Sequence, residues 1–183
     1  MIPLCYNGTC FFIPLEGVIV ITPVQTDPKL DELAKRMGKV PNMLRVMANA
    51  PAVLDGYLGL SRPLKKGTLP AATAERIALT VGAANACDYC VAAHTYTGKT
   101  AAGLSDEEIQ SAKQGTSADP KEAAAVAFAR ELTESRGDAD PAAACAAGWT
   151  DEQILEIVAL VALQTLTNYV NKVAETENDW PAA

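Results

Sequence analysis

Cys87, Cys90 and His94 stand three and four residues apart in the segment Cys87-Asp88-Tyr89-Cys90-Val91-Ala92-Ala93-His94. On a helix such spacings put all three side chains in one row. A thiol near the start of a helix feels the positive end of the dipole and its free N–H groups, which favour the thiolate. His94 is the only histidine in the chain, and an imidazole can take or give a proton near neutral pH. It lies one helical turn from Cys90 but two from Cys87, so Cys90 is the thiol within its reach. Glu75 precedes Cys87 by twelve residues, near the start of the preceding helix. Antiparallel packing of the two helices would bring its carboxylate beside His94, where it would orient the imidazole and tune its basicity.

Three chemistries fit a Cys-x-x-Cys pair. Dithiol redox chemistry uses Cys87, Cys90, His94 and Glu75 together. A zinc site needs about four ligands, and the other thiols, Cys5, Cys10 and Cys145, lack matching spacing. The third reading is packing alone: two small buried hydrophobes, a satisfied histidine and a first-turn acid. That reading requires all four residues to be inert at once. There is no Gly-x-Gly-x-x-Gly after a strand and no Cys-x-x-Cys-His, so no dinucleotide, flavin or haem cofactor is expected, and no metal. Cys145 lies in an alanine run and is expected to be a buried hydrophobe. Asn168 and Asn171 are expected to hydrogen-bond inside an interface, and Tyr57 and Tyr96 to pack in the core, with lining a pocket as the alternative.

The elements that must position these residues are helical. Asp27-Pro28, Asp119-Pro120 and Asp140-Pro141 each place a good N-cap before a residue tolerated at the first helical position. Leu30, Leu33, Ala34 and Met37 then follow the i, i+3, i+4, i+7 pattern up to Gly38. Further helices are expected at about 41–48, 51–60, 70–84, 87–102, 106–113, 120–135, 141–147 and 151–176. The loop at 115–119 divides them into two halves. Gly103-Leu104-Ser105-Asp106-Glu107-Glu108-Ile109 matches Gly148-Trp149-Thr150-Asp151-Glu152-Gln153-Ile154 position by position. Each carries a helix stop, a staple residue and a capping box, which predicts an internal duplication. Only the first half carries the chemical residues. The expected fold is an all-α, Ala-rich multi-helix bundle over residues 27–183, preceded by a short extended arm over 1–26. In that arm Val18 to Thr22 reads as a strand or an extended segment.

Composition narrows the function. The 183-residue chain is 49% apolar and 20% charged, which is globular, and its net charge of −7 is the wrong sign for a phosphate binder. Neither nucleic acid nor an anionic membrane surface is an expected partner. The apolar run from Ile154 to Leu163 is too short to span a bilayer, and the N-terminus lacks the pattern of a signal peptide. A cytoplasmic location is expected.

The motif Glu-x11-Cys-x2-Cys-x3-His on two Ala-rich helices resembles the alkylhydroperoxidase D-like, or carboxymuconolactone decarboxylase, superfamily. Val40-Pro41-Asn42-Met43-Leu44, Ala50-Pro51-Ala52-Val53-Leu54 and Glu177-Asn178-Asp179-Trp180-Pro181 are similar to segments of its peroxidase-related branch. The resemblance covers roughly residues 28–181. It implies an all-α fold, a homo-oligomer (trimer or hexamer) and thiol-dependent reduction of hydroperoxides. It further implies that Cys90 attacks, Cys87 resolves, Glu75 and His94 relay protons, and an external dithiol such as a lipoyl-bearing protein restores the enzyme. Some relatives carry a second histidine between the cysteines, where this chain has Tyr89. The alternatives are a carboxymuconolactone decarboxylase-like enzyme, a dithiol–disulfide oxidoreductase, or a non-enzymatic redox-sensing or zinc-binding oligomer.

Overall fold

The computed structural model describes residues 2–6, 9–13 and 21–181. Two antiparallel strands, β1 (Ile2–Tyr6) and β2 (Thr9–Ile13), form a hairpin in the arm. The strand expected at Val18–Thr22 lies mostly outside the described residues, and Ile21 and Thr22 are not in a strand. From residue 28 onward the described chain is helical: α1 (Pro28–Met37), α2 (Asn42–Met47), α3 (Pro51–Leu64), α4 (Ala71–Ala84), α5 (Asp88–Thr100), α6 (Asp106–Lys113), α7 (Pro120–Glu134), α8 (Ala142–Ala146) and α9 (Asp151–Val173). Residues 22–25 are tied to α2, for Val24 N–H donates to Arg45 O (3.1 Å) and Asn49 Nδ2 to Thr22 O (2.9 Å).

Local chemistry sets most of these boundaries. Asp27 accepts from the N–H groups of Lys29 and Leu30, and Asp119 from those of Lys121 and Glu122, so both are working N-caps. Helix α3 runs one turn past the expected end at Leu60 and holds Pro63 in its last turn. There the lost N–H bond leaves most of the helix intact.

The matching segments at 103–109 and 148–154 fold alike. Gly103 and Gly148 both take positive φ (69° and 91°), Leu104 and Trp149 are both buried, and Ser105 and Thr150 both cap the next helix. The capping box is complete only at Thr150, where Gln153 reaches back. In the first copy the Glu108 carboxylate turns away, accepting from Arg76 Nε (2.8 Å), Ser117 Oγ and the N–H of Ala118. The repeated helices make a bundle whose symmetric contacts accord with a duplicated, alkylhydroperoxidase D-like architecture.

Helix α4 is the hub. Ile77 and Val81 pack with Ala125, Val126 and Phe128 of α7 and with Ile157, Leu160 and Val161 of α9. Burying one such aliphatic side chain is worth about 1.5–3 kcal/mol. A second cluster joins α1, α2 and α3 through Leu30, Leu33, Leu44, Met47, Leu54 and Leu58. Small residues let α4 and α5 approach closely: a Cβ on Gly82 would lie 3.5 Å from the Cys90 Cβ. On Gly98 it would lie 3.3 Å from Leu104 and 4.0 Å from the Glu75 Cβ. This close packing is what brings the carboxylate of α4 to the histidine of α5.

Candidate active site

The turn between α4 and α5 sets the first cysteine. Ala86 takes a left-handed conformation (φ 50°), uncommon for a residue with a side chain. Cys87 follows in an extended conformation as the N-cap of α5, and its sulfur accepts from the N–H of Cys90 (3.3 Å). The helix expected over 87–102 puts Cys87 inside the first turn. It stands just outside, since the bend at Ala86 delays the helix to Asp88. Cys90 is in the first turn, and the two residues are joined as a disulfide with their Cα atoms 5.3 Å apart. Both are nearly inaccessible, Cys87 at 2% and Cys90 at 3% exposure.

His94 and Glu75 meet as expected from antiparallel packing. The imidazole Nδ1 donates to Glu75 Oε2 at 2.8 Å, and Thr97 Oγ1 donates to the same oxygen at 2.7 Å. Burial on its own pushes the Glu75 carboxyl up. The hydrogen bond and charge of His94, the Thr97 hydroxyl and the nearby Lys65 ammonium outweigh it, holding the group below the ordinary carboxylate range. His94 Nε2 lies 3.2 Å from Gln164 Oε1 on α9. No direct hydrogen bond joins His94 to Cys90 among the described residues. Both instead face one cavity.

That cavity has a volume of about 480 Å³ and lies between α3, α4, α5, α9 and the C-terminal segment. Cys90, His94, Glu75 and Asn171 line it, whereas Cys87 does not. Its walls are largely apolar, with Leu64, Leu69, Leu160 and Leu163. Tyr57 packs against the core and lines the cavity as well, and burial pushes its phenol pKa up, keeping the hydroxyl protonated. Tyr96 is 43% exposed and packs its ring against Trp180, 5.7 Å between centroids.

Three residues near the thiols carry roles the sequence did not reveal. Asn171 Nδ2 donates to the Cys90 sulfur at 3.3 Å, so the hydrogen bond expected of it inside an interface is made between α9 and α5, at the site itself. Gln164 faces His94 from the same helix. Asp179 accepts from the Tyr89 hydroxyl (2.7 Å), which itself accepts from the N–H of Met43 (3.2 Å). Tyr89 is therefore a strut tying α5 to α2 and the C-terminal segment. The only available signal was the polarity of Gln164 and Asn171 among the apolar residues of α9. Cys145 departs from expectation in being exposed, because its neighbour Ala144 takes the buried position on α8. Among the described residues no three His, Cys, Asp or Glu side chains gather as a metal site.

The fold recurs in solved structures. The debrominase Bmp8 bound to 2,3,4-tribromopyrrole, as a cysteine-to-alanine variant, superposes with a TM-score of 0.76 at 21% identity, covering 89% of this chain and 93% of that one. An uncharacterized peroxidase-related protein from Ralstonia eutropha JMP134, described as an alkylhydroperoxidase AhpD core, gives 0.74 at 23% identity, covering 82% and 83%. A peroxidase-related protein from Silicibacter sp. TM1040 gives 0.72 at 21%, covering 84% and 88%. At these identities the likeness is one of fold. The comparison with curated proteins gives no match. Residues 51–131, which hold Glu75, Cys87, Cys90 and His94, match the carboxymuconolactone decarboxylase family, and the fold of the chain is similar to that of these peroxidase-related and debrominase structures.

Proposed function

We propose that this protein reduces hydroperoxides, with Cys87 and Cys90 cycling between dithiol and disulfide. The observation that supports this best is the placement of Cys90, and not Cys87, on the cavity that also receives His94. In the first step the Cys90 thiolate displaces on the O–O bond of ROOH. The departing alkoxide takes a proton held by the Glu75–His94 pair, leaving ROH and Cys90–SOH. Cys87 then condenses with the sulfenic acid, giving the disulfide and water. An external dithiol, such as a lipoyl group on a protein, reduces the disulfide by exchange and is itself oxidised to a disulfide.

The test is a single dose of peroxide followed by a dimedone-type sulfenic acid trap. Cys90→Ser should leave no peroxide consumed at the site. Cys87→Ser should consume about one equivalent and stop with the label on Cys90, for lack of a neighbouring thiol. Label on Cys87 in the Cys90→Ser protein, with none on Cys90 in the other, would reverse the roles.

The apolar cavity favours a second reading, reductive removal of halogen from a small ring. There R–Br and the two thiols would give R–H, the disulfide, bromide and a proton. Offering 2,3,4-tribromopyrrole in the same assay separates the two. Bromide release with inert hydroperoxides would replace the first reading by the second.

We also propose that the chain self-associates through α9. Leu155, Val158, Ala162, Leu166, Tyr169 and Val173 form a straight exposed stripe along its outer face. Leu155, Tyr169 and Val173 are 69%, 58% and 63% exposed. The occupant that fits is a second copy laid antiparallel. Asp151 and Glu152 at one end of α9 then face Lys172 at the other end of the partner helix, and the helix dipoles oppose. A hexamer contains such two-fold contacts, whereas a lone trimer does not.

A further inference from the structure

We propose that Asn171 is a catalytic residue whose side-chain amide donates to the Cys90 sulfur and stabilises it as a thiolate once the disulfide is reduced. The word catalytic rests on the reading above that Cys90 attacks the substrate, but the contact does not. Asn171 Nδ2 lies 3.3 Å from Cys90 Sγ, both residues are buried, and Asn171 lines the cavity into which that sulfur faces. A hydrogen bond to an anion is roughly twice as strong as one to a neutral acceptor. The same contact therefore strengthens as charge develops on the sulfur, and the low local dielectric amplifies it.

A second observation speaks against a packing role. Asn171 Oδ1 is buried with no hydrogen-bond partner. An apolar side chain of the size of this amide would fill the space without an orphaned oxygen, so the amide destabilises the fold relative to that choice. Half-satisfied polar groups of this kind are expected where a reaction uses them.

The amide is also held in place. Asn85, in the turn before Cys87, gives its Nδ2 to Asn168 Oδ1 at 2.8 Å, and its backbone oxygen accepts from Lys172 Nζ at 2.8 Å. These two bonds bracket Asn171 on α9 and lock the helix against the turn that carries the cysteines. Each sulfur thus has its own donor: the N–H of Cys90 serves Cys87, and Asn171 serves Cys90.

The other groups around Cys90 are Asp88, Tyr89 and His94 on α5, Glu75 behind His94 on α4, Lys172 on α9 and Asp179 behind Tyr89 on the C-terminal segment. Met43 of α2 and Trp180 add apolar contact. All are retained in the variants that test the proposal.

The experiment measures iodoacetamide alkylation of Cys90 against pH, read peptide by peptide by mass spectrometry, in full-length Cys87→Ser protein. Asn171→Leu keeps the branching and the number of heavy atoms and removes the donor. Asn171→Asp keeps the shape and replaces the donor with a carboxylate. Each should raise the midpoint by about one to two pH units and slow alkylation at pH 7 about tenfold or more. An unchanged midpoint in either variant that still melts cooperatively overturns the proposal, and the aspartate decides if the leucine variant does not fold. No peroxide enters this readout. If no peroxide is turned over, the thiolate contact still stands or falls on the titration. Normal turnover with an unmoved midpoint rejects Asn171 alone.

Discussion

At the scale of single residues, Glu75 keeps its charge at a largely buried position because three donors or cations converge on it. A carboxyl whose folded pKa lies below its unfolded value, about 4.3, contributes stability that is fully present above that value. The contribution is lost as pH falls through the lower, folded value. Glu75→Gln should therefore flatten the acid limb of unfolding free energy against pH, measured by urea titration between pH 7 and pH 3. An acid limb as steep as in the parent would contradict the assignment. The same ionisation bears on catalysis. Glu75 remains charged from pH 5 to 8, so Glu75→Gln should slow peroxide consumption by a similar factor across that range, on the order of 10²-fold for a proton-relay member. A defect confined to one end of the range would mean that Glu75 titrates there and is not the fixed partner of His94.

At the scale of elements, α9 joins the two proposals. Its inner face carries Gln164 and Asn171 to the site, and its outer face is the apolar stripe. By length and composition α9 would pass for a membrane-crossing helix. The structure accounts for its all-round apolarity differently, since one face fills the core with Ile157, Leu160 and Leu163 and the other is exposed. Replacing Leu155 and Tyr169 by glutamate places charge near both ends of the proposed contact. Sedimentation should then show a shift from the oligomer to a 19.2 kDa monomer with its helix content retained. A parent protein that already sediments as a monomer at micromolar concentration would remove the proposal.

Helix placement was legible in the sequence because Asp-Pro caps and Gly stops are local signals, as at Asp27, Asp119 and Gly148. Glu75, Cys87, Cys90 and His94 were legible because they fall within twenty residues on two adjacent helices. Asn171 was not, for it reaches Cys90 across 81 residues of chain, and only tertiary packing sets which polar residue of an apolar helix meets a sulfur. Cys87 as an N-cap was hidden for a smaller reason: nothing in Asn85-Ala86 announces a left-handed alanine.

At the scale of the whole molecule, the C-terminal segment covers one side of the disulfide. Asp179 anchors it by accepting from Tyr89 (2.7 Å) and from the N–H of Asn42 (3.4 Å), with Lys39 Nζ 3.0 Å from its other oxygen. Burial pushes the Tyr89 hydroxyl pKa far up, and the Asp179 charge adds to this against the opposing pull of the Met43 N–H. Tyr89 therefore stays a donor throughout the pH range in which thiols exchange. Trp180, the next residue, packs on Cys87, Tyr89 and Cys90 and closes one wall of the cavity. Both cysteines are almost fully covered, so a reductant must displace something, and among their neighbours Trp180 lies outside any helix. Segments held by few contacts open more readily than the helical core. Trp180→Ala should accordingly speed reduction of the Cys87–Cys90 disulfide by dithiothreitol severalfold, followed by thiol release under native conditions. Asp179→Asn keeps the indole but weakens its anchor and should give a smaller increase. If Trp180→Ala leaves the rate unchanged, reductants reach Cys90 through the cavity from the Leu64–Leu69 side. Narrowing that side with Ala71→Phe should then slow reduction instead.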